Sequence, residues 1–305
     1  MKTFLTWIKR DPASGVVAAL VWALMQCSAL EMAPSRLEGQ VRIDTSGYVK
    51  VGPDSLFYDV AGKGQAMVLV HDGLVHREIW DNQMDVFARD YRVIRYDRRG
   101  YGNSPEATGP FSNVEDLRHL LEYLGVERAV LVGMSSGGRL AIQFALEYPD
   151  MAMALVLVGA VVGGFPYTQH FSDRGGHLPP DLPRDKRRAY YAADDPYEVY
   201  SENRAAKKRV RELVASHPSG SHGSYQAEQA ARPAVERLSE ITVPALILVG
   251  EFDIPDVHAH AGAIDAGIPD SRREIVRSAG HLAPIERPDQ FNTAVAEFLN
   301  SQSWR

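Results

Sequence analysis

Apolar residues come along this chain in short unbroken runs separated by more polar stretches. The runs are AMVLV (66–70), RVIRY (92–96), AVLVG (129–133), ALVLVG (154–159), ALILVG (245–250) and REIVR (273–277). Side chains alternate between the two faces of a strand, so apolar residues in succession imply strands covered on both faces, as in a parallel sheet flanked by helices. Stretches such as SNVEDLRHLLEYLG (112–125) supply the helical period between runs, with Ser112 or Asn113 as N-cap and Gly125 as stop. Ahead of them, YVKV and SLFYDVA straddle GPD, which reads as a β-hairpin. The pattern predicts an α/β fold on a doubly wound, mostly parallel sheet.

From 164 to 240 this rhythm stops. The interval is rich in Tyr, Arg, Asp and Pro, with helix-compatible pieces around 184–193 and 197–216. An insertion of that length between two strands is expected to form a helical lid over the carboxyl ends of the strands, where open α/β sheets bind ligands. The expected organisation is an N-terminal segment (1–40), a first core part (41–163), the lid insertion (164–240) and a second core part (241–305).

In the N-terminal segment Lys2, Lys9 and Arg10 precede an uncharged stretch (12–30) whose centre, VVAALVWALM, is wholly apolar. The small residues of CSA (27–29) offer a cleavage point, so a signal peptide is expected, and with it a secreted or periplasmic protein. An uncleaved membrane anchor is an alternative, since the stretch reaches the ~17 to 25 residues that span a bilayer. A soluble N-terminal helix on a cytoplasmic enzyme is the other.

Composition sets limits on partners. The 305 residues are 45% hydrophobic and 24% charged, an ordinary globular balance, with a formal charge of −6. Removing the first 30 residues takes away three positive charges and one negative, leaving −8. That argues against a nucleic-acid partner, which needs a concentrated positive surface. The basic groups at Arg184, Lys186, Arg187 and Arg188, and at 204–211, are interrupted or flanked by Asp181, Asp185, Glu202 and Glu212 and read as solvated helix faces. Cys27 is the single cysteine, which excludes an internal disulfide and a thiolate metal cluster.

The chemistry-bearing stretch is VLVGMSSGGRL (130–140). Gly133-Met134-Ser135-Ser136-Gly137 fits G-x-S-x-G between a strand and a helix. Glycines two residues either side of Ser135 allow a turn sharp enough to strain the serine backbone and bring neighbouring chain close. Ser135 Oγ then points out of the sheet, and the Ser136 N–H, opening a helix, points to where an oxyanion would form. Gly138 lies outside the motif and is expected only to help the turn. A serine nucleophile needs a base and an orienting acid. GEFDIPD offers Asp253 just past a strand, with Asp256 as an alternative carboxylate, and SAGHLAPIERP offers His281 past the next strand.

Taken with HDG (71–73) and DRRGYGNS (97–104), these motifs resemble the α/β-hydrolase superfamily, in its group of single-domain esterases, lactonases and cofactor-free haloperoxidase-like enzymes. The resemblance spans roughly 47–163 and 241–300. It implies Ser135 as nucleophile, His281 as general base and then acid, Asp253 holding the His281 tautomer, and the backbone N–H groups of Gly73 and Ser136 as the oxyanion hole. It implies a supporting role for Asp97, Gly100, Gly102 and Ser104, and a packed rather than proton-carrying His71. The chain departs from the family where the usual His-Gly pair reads His71-Asp72; Asp tolerates the turn, but its carboxylate should point away from the developing oxyanion.

A small ester or lactone is the expected substrate, with perhydrolase or carbon–carbon bond hydrolase as variants on the same residues and a ligand receptor on this fold as the rival class. A serine at the elbow speaks against haloalkane dehalogenases and epoxide hydrolases. No cofactor or metal is expected: His258 with His260, and His217 with His222, lack a second group of donors, and no G-x-G-x-x-G nucleotide site follows the first parallel strand. Tyr167, His170, Phe171, Tyr190, Tyr191 and Tyr197 suggest aromatic packing or lining in the lid.

Overall fold

Each aliphatic run forms a strand that feeds two apolar layers. The computed structural model describes residues 42–302 except 175, 201 and 218–232; the signal peptide or anchor expected over 1–40, and His222, lie outside the described residues. Strands β1 (Thr45–Val51), β2 (Asp54–Ala61), β3 (Gln65–Val70), β4 (Tyr91–Tyr96), β5 (Ala129–Met134), β6 (Ala152–Val158), β7 (Ala245–Gly250) and β8 (Ser271–Val276) make one sheet in the order β1-β2-β4-β3-β5-β6-β7-β8. The β1–β2 hairpin is antiparallel, as is β2 against β4; all other pairs are parallel. Val68, Leu131, Leu155 and Ile247 enter one layer, and Leu69, Val132, Val156 and Leu248 the other. β8 departs from the doubly covered pattern because it is an edge strand: Val276 is buried while Ile275 is exposed.

This order creates the functional end of the molecule. β3 and β5 are neighbours, yet the chain leaves β3 toward β4 on one side and β5 toward β6 on the other. The turns after two such strands diverge and open a crevice at their carboxyl ends. Those turns are His71–Gly73 and the Ser135 elbow.

Between β6 and β7 run helices Gln169–Asp173, Arg184–Ala193 and Arg204–Ser216, then a 3₁₀ turn at Ala234–Glu240. Helix 204–216 begins later than the sequence pattern suggests. Asp195 Oδ1 accepts the backbone N–H groups of Tyr197 (2.9 Å) and Glu198 (3.3 Å), and the carbonyls of Tyr197 and Glu198 accept from His281 N (2.8 Å) and Leu282 N (3.0 Å). With those backbone groups already satisfied outside a helix, the helix starts only where Asn203 caps Ala206 N at 3.0 Å. Among the described residues no helix is long and apolar enough to cross a membrane.

Candidate active site

Ser135 sits between β5 and helix Ser136–Glu147 with φ 53° and ψ −116°, a backbone conformation far from those serine prefers. Strain of this kind, of order 1–3 kcal/mol, persists only where the surroundings impose it. Here Ser135 N donates to Val158 O at 2.9 Å, and Ser135 O accepts from Arg139 N at 3.1 Å. A Cβ on Gly133 would stand 2.5 Å from Gly137 O, and one on Gly137 would collide with Val70 O, so both glycines are required by close approach of backbone. Gly138 does more than help the turn: a side chain there would collide with Ala160 Cβ, so this glycine sets how closely the helix packs against the chain leaving β6.

His281 and Asp253 follow β8 and β7. His281 Nδ1 donates to Asp253 Oδ2 at 2.8 Å, while Asp253 Oδ1 accepts from Ile254 N at 2.8 Å. A carboxylate only accepts, so the Nδ1 proton is fixed and Nε2 is left free of it. Burial lowers the His281 pKa, but Asp253, with help from Glu198, outweighs burial and Arg174 and pushes it up to about 9. Gly159 makes room for the pair: a Cβ there would lie 3.0 Å from His281 Nδ1 and Cε1, and its φ is 53°. Asp256, the alternative acid, is occupied elsewhere. It accepts from Thr168 N (2.6 Å) and Thr168 Oγ1 (2.9 Å), fastening the start of helix Gln169–Asp173.

The His71–Gly73 turn resolves the departure at Asp72. Asp72 Oδ2 accepts from Leu74 N (2.9 Å) and Oδ1 from Val75 N (3.1 Å), so both oxygens are spent within their own loop. His71 is fully buried, donating from Nδ1 to Asp72 O (2.7 Å) and accepting Arg98 N–H at Nε2 (3.0 Å); burial and Arg98 hold its pKa well below the usual imidazole value. Arg98 Nη2 donates to Asp72 O (2.5 Å) and Ser136 Oγ (2.9 Å), linking this turn to the elbow. Asp97 accepts from Arg77 N (2.9 Å), Arg77 Nη1 (2.7 Å) and Asn103 N (2.9 Å), and Ser104 Oγ donates to Asp97 O (2.7 Å). The 97–104 loop therefore braces the turn from beneath.

Ser135, Ser136, Asp72, Gly73, Leu74 and His281 line one cavity of about 340 Å³. The segment between β6 and β7 adds Tyr167, Phe171, Arg174, Tyr191 and Glu198. Of the six aromatics named between β6 and β7, three thus line the cavity; His170 and Tyr197 pair with each other and Tyr190 packs on Tyr191. His258 and His260 lie on helix Pro255–Gly267, where His260 Nδ1 accepts Val162 N–H at 3.1 Å, and His217 Nδ1 stands 3.2 Å from His76 Nε2. Among the described residues no group of three or more His, Cys, Asp or Glu could hold a metal ion.

Several residues here are ones the sequence patterns did not single out. Glu286 accepts from Gly280 N (2.8 Å) and Tyr200 N (2.7 Å), tying the His281 loop to the 197–200 turn; burial pushes its pKa up to about 7 against those two N–H donors. It stood in view within AGHLAPIERP. Gly159 was visible only as the glycine ending a strand. Arg174 and Glu198 had no signal, because an ion pair formed across an irregular segment has no fixed spacing.

Against known proteins, the model of the alpha/beta hydrolase family matches residues 67–294. The 2-hydroxy-6-oxononadienedioate/2-hydroxy-6-oxononatrienedioate hydrolase of Burkholderia vietnamiensis (strain G4 / LMG 22486) is 32% identical over 287 residues, covering 84% of this chain and 96% of its own. A thermophilic esterase from Thermogutta terrifontis, solved with malate bound, superposes with TM-score 0.70 at 25% identity over 84% of this chain and 98% of that one. The enol-lactonase from Burkholderia xenovorans LB400 shares the fold, with TM-score 0.71 at 23% identity over 84% and 100% of the two chains.

Proposed function

The chain belongs to the alpha/beta hydrolase family, and from that premise we propose that it is a serine hydrolase of small esters or lactones, working through an acyl-enzyme. The observation that carries this reading is the strained Ser135 elbow opening into the same cavity as the His281–Asp253 pair. Ser135 Oγ attacks the substrate carbonyl as His281 Nε2 takes its proton. Asp253 stabilises the imidazolium that forms, and the Gly73 and Ser136 N–H groups receive the oxyanion. His281 then gives its proton to the departing alkoxide, and water activated by the same imidazole releases the acid. The helical segment 164–240 acts as a lid, and 1–40 directs secretion.

The test is covalent labelling. Intact protein is expected to take a fluorophosphonate at Ser135 and to hydrolyse short p-nitrophenyl esters. Ser135→Ala is expected to lose the label and at least about a thousandfold of kcat. A wild-type protein that takes no label and turns over no ester would favour the ligand-receptor class. A carbon–carbon bond hydrolase is the second reading, favoured by the 32% identity to the Burkholderia vietnamiensis enzyme, whose substrates are dioates. Turnover of an anionic dienoate with no ester hydrolysis would select it.

A further inference from the structure

The cavity wall holds a carboxylate that none of these steps uses. Glu198 is only 7% exposed and lines the cavity with Ser135 and His281. Its Oε1 accepts from Arg174 Nη2 at 2.6 Å, while its Oε2 is buried with no hydrogen-bond partner among the described residues. A buried acceptor left unsatisfied is destabilising, more so when charged, so each one calls for an explanation. The placement is rigid. The Glu198 carbonyl is bound by Leu282 N and its N–H by Asp195, while Arg174 is held by Asp195 (2.7 Å) and lies over the Tyr191 ring.

Burial pushes the Glu198 pKa up, while Arg174 and His281 pull it down. Arg174 is shared with Asp195, and the His281 charge is paired with Asp253. Asp72, also in the wall, spends both carboxylate oxygens on Leu74 N and Val75 N. Glu198 is thus the wall carboxylate that keeps an oxygen without a hydrogen bond among the described residues, beside a space that a substrate must enter.

Resting on the serine-hydrolase reading above, we propose that Glu198, held by Arg174, is the specificity-determining residue of the cavity. It accepts a hydrogen bond from a hydroxyl, amide N–H or ammonium group carried by the substrate, and disfavours substrates bearing a second carboxylate. A cavity of about 340 Å³ limits these to small molecules.

Four methyl esters followed by pH-stat test this: methyl butyrate, its β-hydroxy and β-amino analogues, and methyl hydrogen succinate. Wild-type kcat/KM is expected to be highest for the hydroxy or amino ester and lowest for the succinate. Glu198→Gln is expected to lower the ratio of the amino to the parent ester about tenfold and to raise that of the succinate. Because Glu198 also raises His281, all rates move together in the variant, and the ratio isolates the contact. Wild-type protein that favours the succinate, or makes no distinction, overturns the proposal whether or not Glu198→Gln folds; so do ratios unchanged in a folded variant. If wild type cleaves none of the esters, the function reading fails separately. Calorimetry on Ser135→Ala protein then decides: tighter binding of the amino ester than of methyl butyrate supports the Glu198 contact, and equal or weaker binding ends it.

Discussion

At the carboxyl end of the sheet, Ser135 and Asp253 are positioned by backbone: strand ends, tight turns and glycines that permit close approach. Across the same cavity, Arg174, Asp195 and Glu198 are positioned by side chains, through ion pairs between stretches far apart in sequence. Backbone-built geometry leaves little choice of residue, because a Cβ at Gly133 or Gly137 meets a carbonyl. Ion-paired geometry can be reached by many pairs at many spacings. The first region therefore suits a reaction common to a family, and the second suits a choice among substrates.

The sharpest way to break this comparison is at the two candidate acids. Asp253 is bound to His281, whereas Asp256 fastens Thr168. Asp253→Asn is expected to lower kcat about 10⁴-fold, since an amide no longer fixes the imidazole tautomer. Asp256→Asn is expected to leave kcat within about threefold, having lost a charge but not an acceptor for Thr168 N. Steady-state kinetics on any hydrolysed ester checks both. The reverse result would move the acid to the helix that follows β7.

The same contrast explains what the sequence revealed. Strand runs, the hairpin and the elbow were legible because apolar succession, turn glycines and G-x-S-x-G each have one physical cause at a fixed spacing. The site pair was legible as Asp253 with His281, Asp256 being the alternative carboxylate, and the structure bonds Asp253 to His281 and Asp256 to Thr168. The 197–200 turn was misread as helical because its backbone partners, Asp195 and the His281 loop, are tertiary. Gly159 was passed over because its neighbours, His281 and Asp253, arrive from elements over ninety residues later.

Gly159 gives a smaller, intermediate effect. Gly159→Ala places a methyl 3.0 Å from His281 Nδ1 in a backbone with φ 53°, a conformation roughly 1–2 kcal/mol unfavourable for alanine. Displacing the imidazole by a fraction of an ångström is expected to lower kcat/KM about ten- to a hundredfold. The melting temperature should fall by only a few degrees. Kinetics and a thermal melt on the same sample separate the two. A variant that melts lower but keeps full activity would mean that the glycine serves the fold and not the His281 position.

The smallest effect tests whether the two regions communicate. Neutral His281 is the base, and Asp253 and Glu198 together hold its pKa up to about 9 against burial and Arg174. The free-enzyme kcat/KM should therefore climb with pH through about 9, with only a small fraction of its maximum at neutral pH. Stability follows with the opposite sense. A histidine whose folded pKa is raised stabilises the fold fully below its unfolded value of about 6.5, and that contribution is lost as pH rises through about 9. Glu198→Gln removes a carboxylate facing His281, so the rising limb of the rate profile should shift to lower pH, and the stability contribution should be smaller and fully lost at lower pH. Asp253 remains in place, so the limb should not fall to the value of an isolated imidazole. A limb that does not move in Glu198→Gln would mean that Glu198 acts on the substrate alone, leaving the backbone-built and ion-paired halves of the cavity electrostatically independent.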